Sequence, residues 1–253
     1  MRGGLLDFFT TMIRAGDFLQ DKTAVVFDFD GTLADTIGLW NAVDVRLAAE
    51  LGYPDADPVK MHAFRENSLR AHRNDENPYR SYCGDFGKKI GCELSAQEIH
   101  SRRYQISRSM LRQDVRLRQG AAALLKRLKG MGLRMAVATT TRRANIEIYC
   151  RDNEWIRSEI HLEDIFEGFV CAEDVERIKP DPQCYLKALA LLDVEPQQAF
   201  AVEDTLAGVQ AARAAGLQCI GIAEAHSIGQ IDDIKSRTSC YFEDYATFSS
   251  WLG

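Results

Sequence analysis

The sequence predicts an α/β protein: a doubly wound parallel sheet with helices on both faces, carrying an inserted α-helical cap domain. Three observations predict it. Short apolar, β-branched runs alternate with helical stretches of about ten residues from Ala121 onward, the pattern of βαβ units. Between Thr36 and roughly Arg118 the spacing is helical and no buried-strand run occurs. The length, 253 residues, exceeds one ordinary domain but is short for two independent ones.

The elements follow in chain order. The first 22 residues, MRGGLLDFFTTMIRAGDFLQDK, read as an N-terminal extension. Asp7 and Arg14 break the apolar run and no small-residue cleavage site follows, so a signal peptide is not expected. A short amphipathic helix packed on the body is expected instead, with Met12 as a second candidate start. Thr23–Phe29 reads as a buried strand that stops at the tight turn Asp30-Gly31. Helical spacing then covers Leu39–Leu51, Met61–His72 and Ser95–Arg112. Ala121–Met131 reads as a helix ended by Gly132, before a strand over Leu133–Ala138. A helix over Pro182–Leu192 precedes a strand over Ala199–Val202. The helix Leu206–Ala215 is closed by Gly216 as a C-cap and leads into a strand over Leu217–Ile222. The domains expected are a core of 23–36 and 119–253, and a helical cap over 37–118.

Composition narrows the function. Hydrophobic residues make up 46% and charged residues 27%, and the net charge is −6. An acidic chain has no general attraction for nucleic acid or anionic lipid, and no apolar run is long enough for a membrane span. The seven cysteines are scattered, without a CxxC, which fits reduced thiols in a cytoplasmic protein. Residues 38–118 carry a net +3 and the remainder −9. A basic cap over an acidic body fits an anionic ligand held between them, and equally fits solvated surface arginines.

In open parallel sheets, ligands bind beyond the carboxyl ends of the strands. There stand Asp28-Phe29-Asp30-Gly31-Thr32, Thr139-Thr140-Thr141, Lys179-Pro180-Asp181-Pro182 and Glu203-Asp204-Thr205. Carboxylates, hydroxyls and one Lys at four such ends are what phosphoryl transfer through a covalent aspartyl-phosphate requires. One carboxylate attacks phosphorus and a neighbouring carboxyl protonates the leaving oxygen. Asp28 and Asp30, two apart on extended chain, address the same substrate. Several carboxylates in one place need a hard divalent cation, and Mg2+ fits their oxygens. Thr139, the Thr140 amide and Lys179 suit the equatorial oxygens of the phosphoryl group.

DFDGTLADT, a strand ending in VATT, IKPDPQCY and AVEDTLAGVQAARAAG, in that order, resemble the haloacid dehalogenase-like (HAD) hydrolase superfamily. The resemblance spans about Thr23–Ile222. The position and helical character of the insertion resemble the small cap of the β-phosphoglucomutase, CbbY and phosphoglycolate-phosphatase subgroup. The resemblance implies a Rossmann-like HAD core with Asp28 as nucleophile and Asp30 as general acid/base. Thr139 would bind the transferring phosphoryl group and Lys179 would bridge it to the nucleophile. Asp204 would complete Mg2+ ligation with Asp28 and the Asp30 carbonyl, with Glu203 a further ligand or the holder of one. Asp30 counts against dehalogenases, which lack the second Asp, and against phosphonatases.

The cap departs from its relatives. Phe64-Arg65-Glu66-Asn67-Ser68-Leu69 resembles the β-phosphoglucomutase cap loop, where an Arg reads a distal phosphate. That implies Arg65 as a substrate contact, with Arg142 a further candidate after the second motif. The Gly-Gly-Lys of CbbY-like caps is absent, and Trp40 stands where many relatives have His. The function expected is a Mg2+-dependent phosphatase of a small phosphorylated metabolite, such as a sugar phosphate or bisphosphate. A hexose-phosphate mutase and a catalytically idle HAD-fold binding module are the alternatives. The sequence sets no oligomeric state, although the small cap leaves room for a monomer.

Overall fold

The computed structural model describes residues 13–36, 38–72 and 75–253; Met12 and the rest of the first twelve residues lie outside this range. The first described helix, α1 (Ala15–Leu19), seats Phe18 edge-on against Phe200, ring centroids 5.3 Å apart, and against Trp251. The latter half of the N-terminal extension therefore packs on the body, as its apolar residues require. Strand β1 (Ala24–Phe27) follows, then a two-residue strand β2 (Ala34–Asp35). Four helices come next: α2 (Leu39–Glu50), α3 (Pro58–Ala71), α4 (Pro78–Ile90) and α5 (Ala96–Gln113). Strand β3 (Arg116–Leu117) pairs with β2 as a small ladder.

The rest of the chain alternates. It runs α6 (Ala121–Gly130), β4 (Arg134–Ala138), α7 (Arg143–Glu147), a π-helical turn at Ile148–Asp152, α8 (Glu154–Glu159), α9 (Leu162–Ile165) and β5 (Gly168–Val170). Then come α10 (Gln183–Leu192), β6 (Ala199–Glu203), α11 (Leu206–Ala214), β7 (Gln218–Ile222), α12 (Ile231–Arg237), β8 (Cys240–Phe242) and α13 (Tyr245–Trp251). Six strands form one sheet in the order β5-β4-β1-β6-β7-β8, every pair parallel. β1 and β6 are buried along their whole length, as strands covered on both faces must be.

The chain divides into two units. The α/β unit comprises the chain to Leu33, Leu117–Arg142 and Leu162–Gly253; the helical unit comprises Ala34–Arg116 and Arg143–His161. The second part of the helical unit corrects the domain boundary read from sequence, which left 143–161 in the core. The reason is local. Asn153, fully buried, donates from Nδ2 to the Leu111 and Val115 carbonyls at 2.7 and 3.0 Å, so α8 docks on the end of α5. Its Oδ1 meanwhile caps α8 by accepting from the Ile156 N–H.

Helix starts in the helical unit are set by their caps. Asp57 accepts from the Val59 and Lys60 N–H groups and Pro58 fills the first position of α3. Ser95 and Glu98 form a capping box on α5. Helix α4 escaped the sequence pattern because Gly84 and Gly87 lower helix propensity. Both serve close packing instead: a Cβ on Gly87 would meet Ile99 at 2.6 Å and one on Gly84 would meet Ala96 at 3.3 Å. The fully buried Asp44 carboxylate binds two arginines, Arg65 at 2.6 Å and Arg103 at 2.7 Å. The Arg103 guanidinium also lies over the rings of Trp40, Tyr79 and Tyr82.

Removing one partner of a buried ion pair strands the other charges. Asp44→Ala should therefore lower the unfolding free energy by about 3–5 kcal/mol. Urea denaturation measures this; a loss below about 1 kcal/mol, the value of an exposed pair, would mean that the arginines find other partners.

Candidate active site

The register of the sheet assembles the site. Phe27 pairs with Val137 on one side and Val202 on the other, so the next residues of β1, β4 and β6 emerge side by side. The Asp28 N–H donates to the Val202 carbonyl and the Thr139 N–H to the Val170 carbonyl. Asp28, Thr139, Glu203 and Asp204 thereby reach one end of the sheet, and all four are buried.

Lys179 comes from the loop between β5 and α10. Its Nζ donates to Asp28 Oδ1 and to Glu203 Oε1, each at 2.5 Å. All three side chains are 10% exposed or less. Burial acts to discharge Lys179, but the Asp28 and Glu203 carboxylates outweigh it and raise its pKa. Burial pushes the Asp28 carboxyl up, Lys179 pulls it back, and Glu203 and Asp204 push it further.

Glu203 is fully engaged. Oε1 accepts from Lys179 and from the Tyr185 hydroxyl at 2.9 Å. Oε2 accepts from the Asp204 and Thr205 N–H groups and the Thr205 hydroxyl. The first turn of α11 lies so close that a Cβ on Gly208 would overlap the Glu203 carboxylate. This geometry fits Glu203 as the holder of Lys179 better than as a cation ligand.

Asp204 accepts the Thr32 hydroxyl at 2.6 Å on Oδ1. Its other oxygen faces Gly31, where φ is +83° and a Cβ would stand 2.5 Å from Oδ2. Burial first, then Glu203, pushes the Asp204 carboxyl up to about 7, against the Thr32 hydrogen bond. Asp30 accepts the Thr141 hydroxyl on Oδ2, and the Thr141 N–H donates to Thr139 Oγ1 at 3.1 Å. This chain of hydroxyls fixes the second carboxyl of the Asp28-Phe29-Asp30 pair.

Of the residues expected from sequence, Asp28, Thr139, Lys179, Glu203 and Asp204 meet, and Asp30 joins through Thr141. Thr140 and Arg142 belong to the same α/β unit and are exposed. Arg65 belongs to the helical unit, 7% exposed, with its guanidinium bonded to Asp44, Asn41 and His62. The sequence pattern gives Tyr185 no role at the site and places Thr32 and Thr205 at strand ends without naming their partners. Thr32 and Thr205 directly follow motif glycine and aspartate, a signal that was present. Tyr185 gave none, because a tyrosine on the apolar face of a helix reads as packing.

The carboxylates of Asp28, Glu203 and Asp204 each offer an oxygen within 4.8 Å of the others, the one such group among the described residues. Three carboxylates against one ammonium leave two negative charges, the count a divalent cation neutralises. With Glu203 held by five donors, Asp28 and Asp204 are the carboxylates of this group that could hold a cation. The donor set is all hard oxygen, which fits Mg2+.

Residues 25–222 match the haloacid dehalogenase-like hydrolase family. The chain belongs to that family. It is 31% identical over 208 residues to protein CbbY of Cereibacter sphaeroides, covering 78% of this chain and 82% of the relative. It is 36% identical over 201 residues to validoxylamine A 7'-phosphate phosphatase of Streptomyces hygroscopicus subsp. limoneus, covering 79% and 85%. Among solved structures it is similar to CbbY from Rhodobacter sphaeroides in complex with phosphate. The TM-score is 0.68 at 28% identity, over 91% of this chain and 99% of that one. As a hydrolase of this family, the chain carries the family's strand-end motifs on the fold that brings them together.

The close approach of α11 to Glu203 gives a test. Gly208→Ala should overpack the site and cost about 1–3 kcal/mol. Gly130→Ala, on α6 with nothing within 4 Å of its Cβ, should be neutral or stabilising. Thermal or urea unfolding of the two variants compares them; equal stabilities would mean that the α11 turn can retreat from Glu203.

Proposed function

We propose that the chain is a Mg2+-dependent phosphatase of a small phosphorylated carbohydrate, working through a covalent aspartyl-phosphate on Asp28. The observation that carries this reading is the buried ammonium of Lys179 at 2.5 Å from Asp28, beside Asp204 and Glu203. The names of two relatives support the substrate class: validoxylamine A 7'-phosphate phosphatase and the phosphorylated carbohydrates phosphatase of Thermotoga maritima, 27% identical over 198 residues. No described helix is long and apolar enough to cross a membrane.

In this mechanism an Asp28 oxygen attacks phosphorus and the bond from phosphorus to the ester oxygen breaks. Asp30, held by Thr141, gives its proton to the departing alkoxide. Water then attacks phosphorus, Asp30 takes the proton, and the bond to Asp28 breaks, releasing phosphate and restoring both carboxyls. Lys179 keeps its charge throughout and faces the oxygens of the group in transfer, with Thr139 beside it. Bound at Asp28, Asp204 and the Asp30 carbonyl, Mg2+ would neutralise the charge that otherwise repels a phosphate dianion. Thr140 and Arg142 are free to meet substrate.

Asp28→Asn removes the attacking charge at nearly constant size. Phosphate release from a panel of sugar phosphates should fall by about 10⁶-fold, the scale of nucleophile loss in other covalent enzymes. Activity above a hundredth of wild type would place the nucleophile elsewhere. Formation of glucose 6-phosphate from β-glucose 1-phosphate would replace hydrolysis by the mutase reaction, and no turnover on the whole panel would leave the idle binding module.

Asp204 adds a pH dependence. Its carboxyl lies near 7 in the fold and near 3.8 ordinarily, so the folded chain holds that proton more tightly than the unfolded one. The associated stability is present below about pH 4 and is lost as pH rises toward 7. Mg2+ should reverse the loss, so its thermal stabilisation should be larger at pH 8 than at pH 6. Differential scanning fluorimetry with and without Mg2+ measures this, and Asp204→Asn should abolish the difference. A wild-type shift equal at both pH values would remove Asp204 as a ligand.

A further inference from the structure

We propose that Arg118 and Tyr245 are positioning residues that set the divalent-cation affinity of the site. The inference rests on the functional reading above and concerns residues outside every motif that carried it. Arg118 stands at the second position after the chain returns to the α/β unit at Leu117. Its main-chain N–H donates to the Leu33 carbonyl at 2.8 Å. Its guanidinium spans two loops: Nη1 donates to the Gly31 carbonyl at 2.7 Å and Nη2 to the Ala223 carbonyl at 2.6 Å. The first carbonyl lies in the Asp30–Thr32 turn after β1, the second directly after β7. Tyr245, fully buried at the start of α13, donates its hydroxyl to the Thr32 carbonyl at 2.7 Å, and its ring lies beneath the Arg118 guanidinium.

Two of these bonds, to the Gly31 and Thr32 carbonyls, end beside Asp204. Gly31 and Thr32, whose carbonyls they fix, are the residues in contact with the two Asp204 oxygens. From the loop after β7, Ser227 donates to the Asp204 carbonyl at 2.8 Å. The Arg118 fork thus ties together two segments that both bond Asp204, the turn at its carboxylate and the loop at its main-chain carbonyl. The same turn carries Asp30, whose carbonyl is the third proposed ligand. A guanidinium suits this task because its donors diverge in one rigid plane, whereas an ammonium on a flexible stem is a single point charge. Neither Arg118 nor Tyr245 touches the proposed ligand oxygens, so they act through the turn and not on the cation.

The test uses the full chain and Mg2+ alone, with the Mg2+ concentration giving half of the thermal shift as the readout. Arg118→Lys keeps the charge and loses the fork; Tyr245→Phe keeps the ring and loses one bond. Arg118→Lys should raise the half-point by about 10–100-fold, the usual effect of losing an outer-shell partner. Tyr245→Phe should raise it by less. Phosphatase activity of Arg118→Lys at saturating Mg2+ should recover to within a few-fold of wild type. Phe248→Leu loosens the same helix α13, where Phe248 stacks on Phe242 away from the turn, and should lower Tm without moving the half-point. An unchanged half-point in Arg118→Lys, or an equal rise in Phe248→Leu, overturns the positioning role while leaving the phosphatase reading intact. A wild-type chain that Mg2+ does not stabilise overturns both.

Discussion

The ammonium of Lys179, shared between Asp28 and Glu203, is the interaction on which the α/β unit's site depends. Three carboxylates within a few ångströms, each nearly sealed from water, would repel one another by several kcal/mol without a counter-charge. Lys179 supplies one positive charge, and the deficit that remains is the reason a divalent cation fits. The same arrangement serves chemistry. In the proposed mechanism the Asp28 carboxylate must be ionised to attack, and the Lys179 ammonium opposes the burial that pushes its pKa up.

Around that interaction the chain is built to hold carboxylates without crowding them. Gly31 and Gly208 sit where any side chain would strike Asp204 or Glu203. The hydroxyls of Thr32, Thr141, Thr205 and Tyr185 each donate to one carboxylate of the site. At Asp204 the Thr32 hydrogen bond opposes the burial that raises the carboxyl's pKa. Thr141 holds the Asp30 carboxyl in one orientation.

The helical unit solves the opposite problem with the same physics. Asp44 is a single buried carboxylate with two guanidinium partners, leaving a surplus of positive charge beside the rings of Trp40, Tyr79 and Tyr82. The net charges read from the two parts of the sequence have this concrete origin in their interiors as well as on their surfaces. Arg65 belongs to this interior network, which a motif comparison of the cap loop alone could not reveal.

The strands and helices around the site were legible because their signals are local. Apolar β-branched runs, caps and terminal glycines placed β1, β4, β6, α6 and α11 to within one or two residues. Several elements were not legible, and two of them show why. Strand β5 lies at the sheet edge, is three residues long and only partly buried, so it lacks a continuous apolar run. Helix α4 carries glycines whose value lies in a neighbouring helix. The sequence by itself determined which side chains stand at the ends of the strands, because motif residues follow each strand directly along the chain. Only the tertiary structure decided what they do to one another: that Glu203 is spent on Lys179, that Tyr185 is core and also donates its hydroxyl to Glu203, and that segment 143–161 joins the helical unit. Each is a contact between residues distant in the chain, set by sheet register and helix docking, which no local pattern encodes.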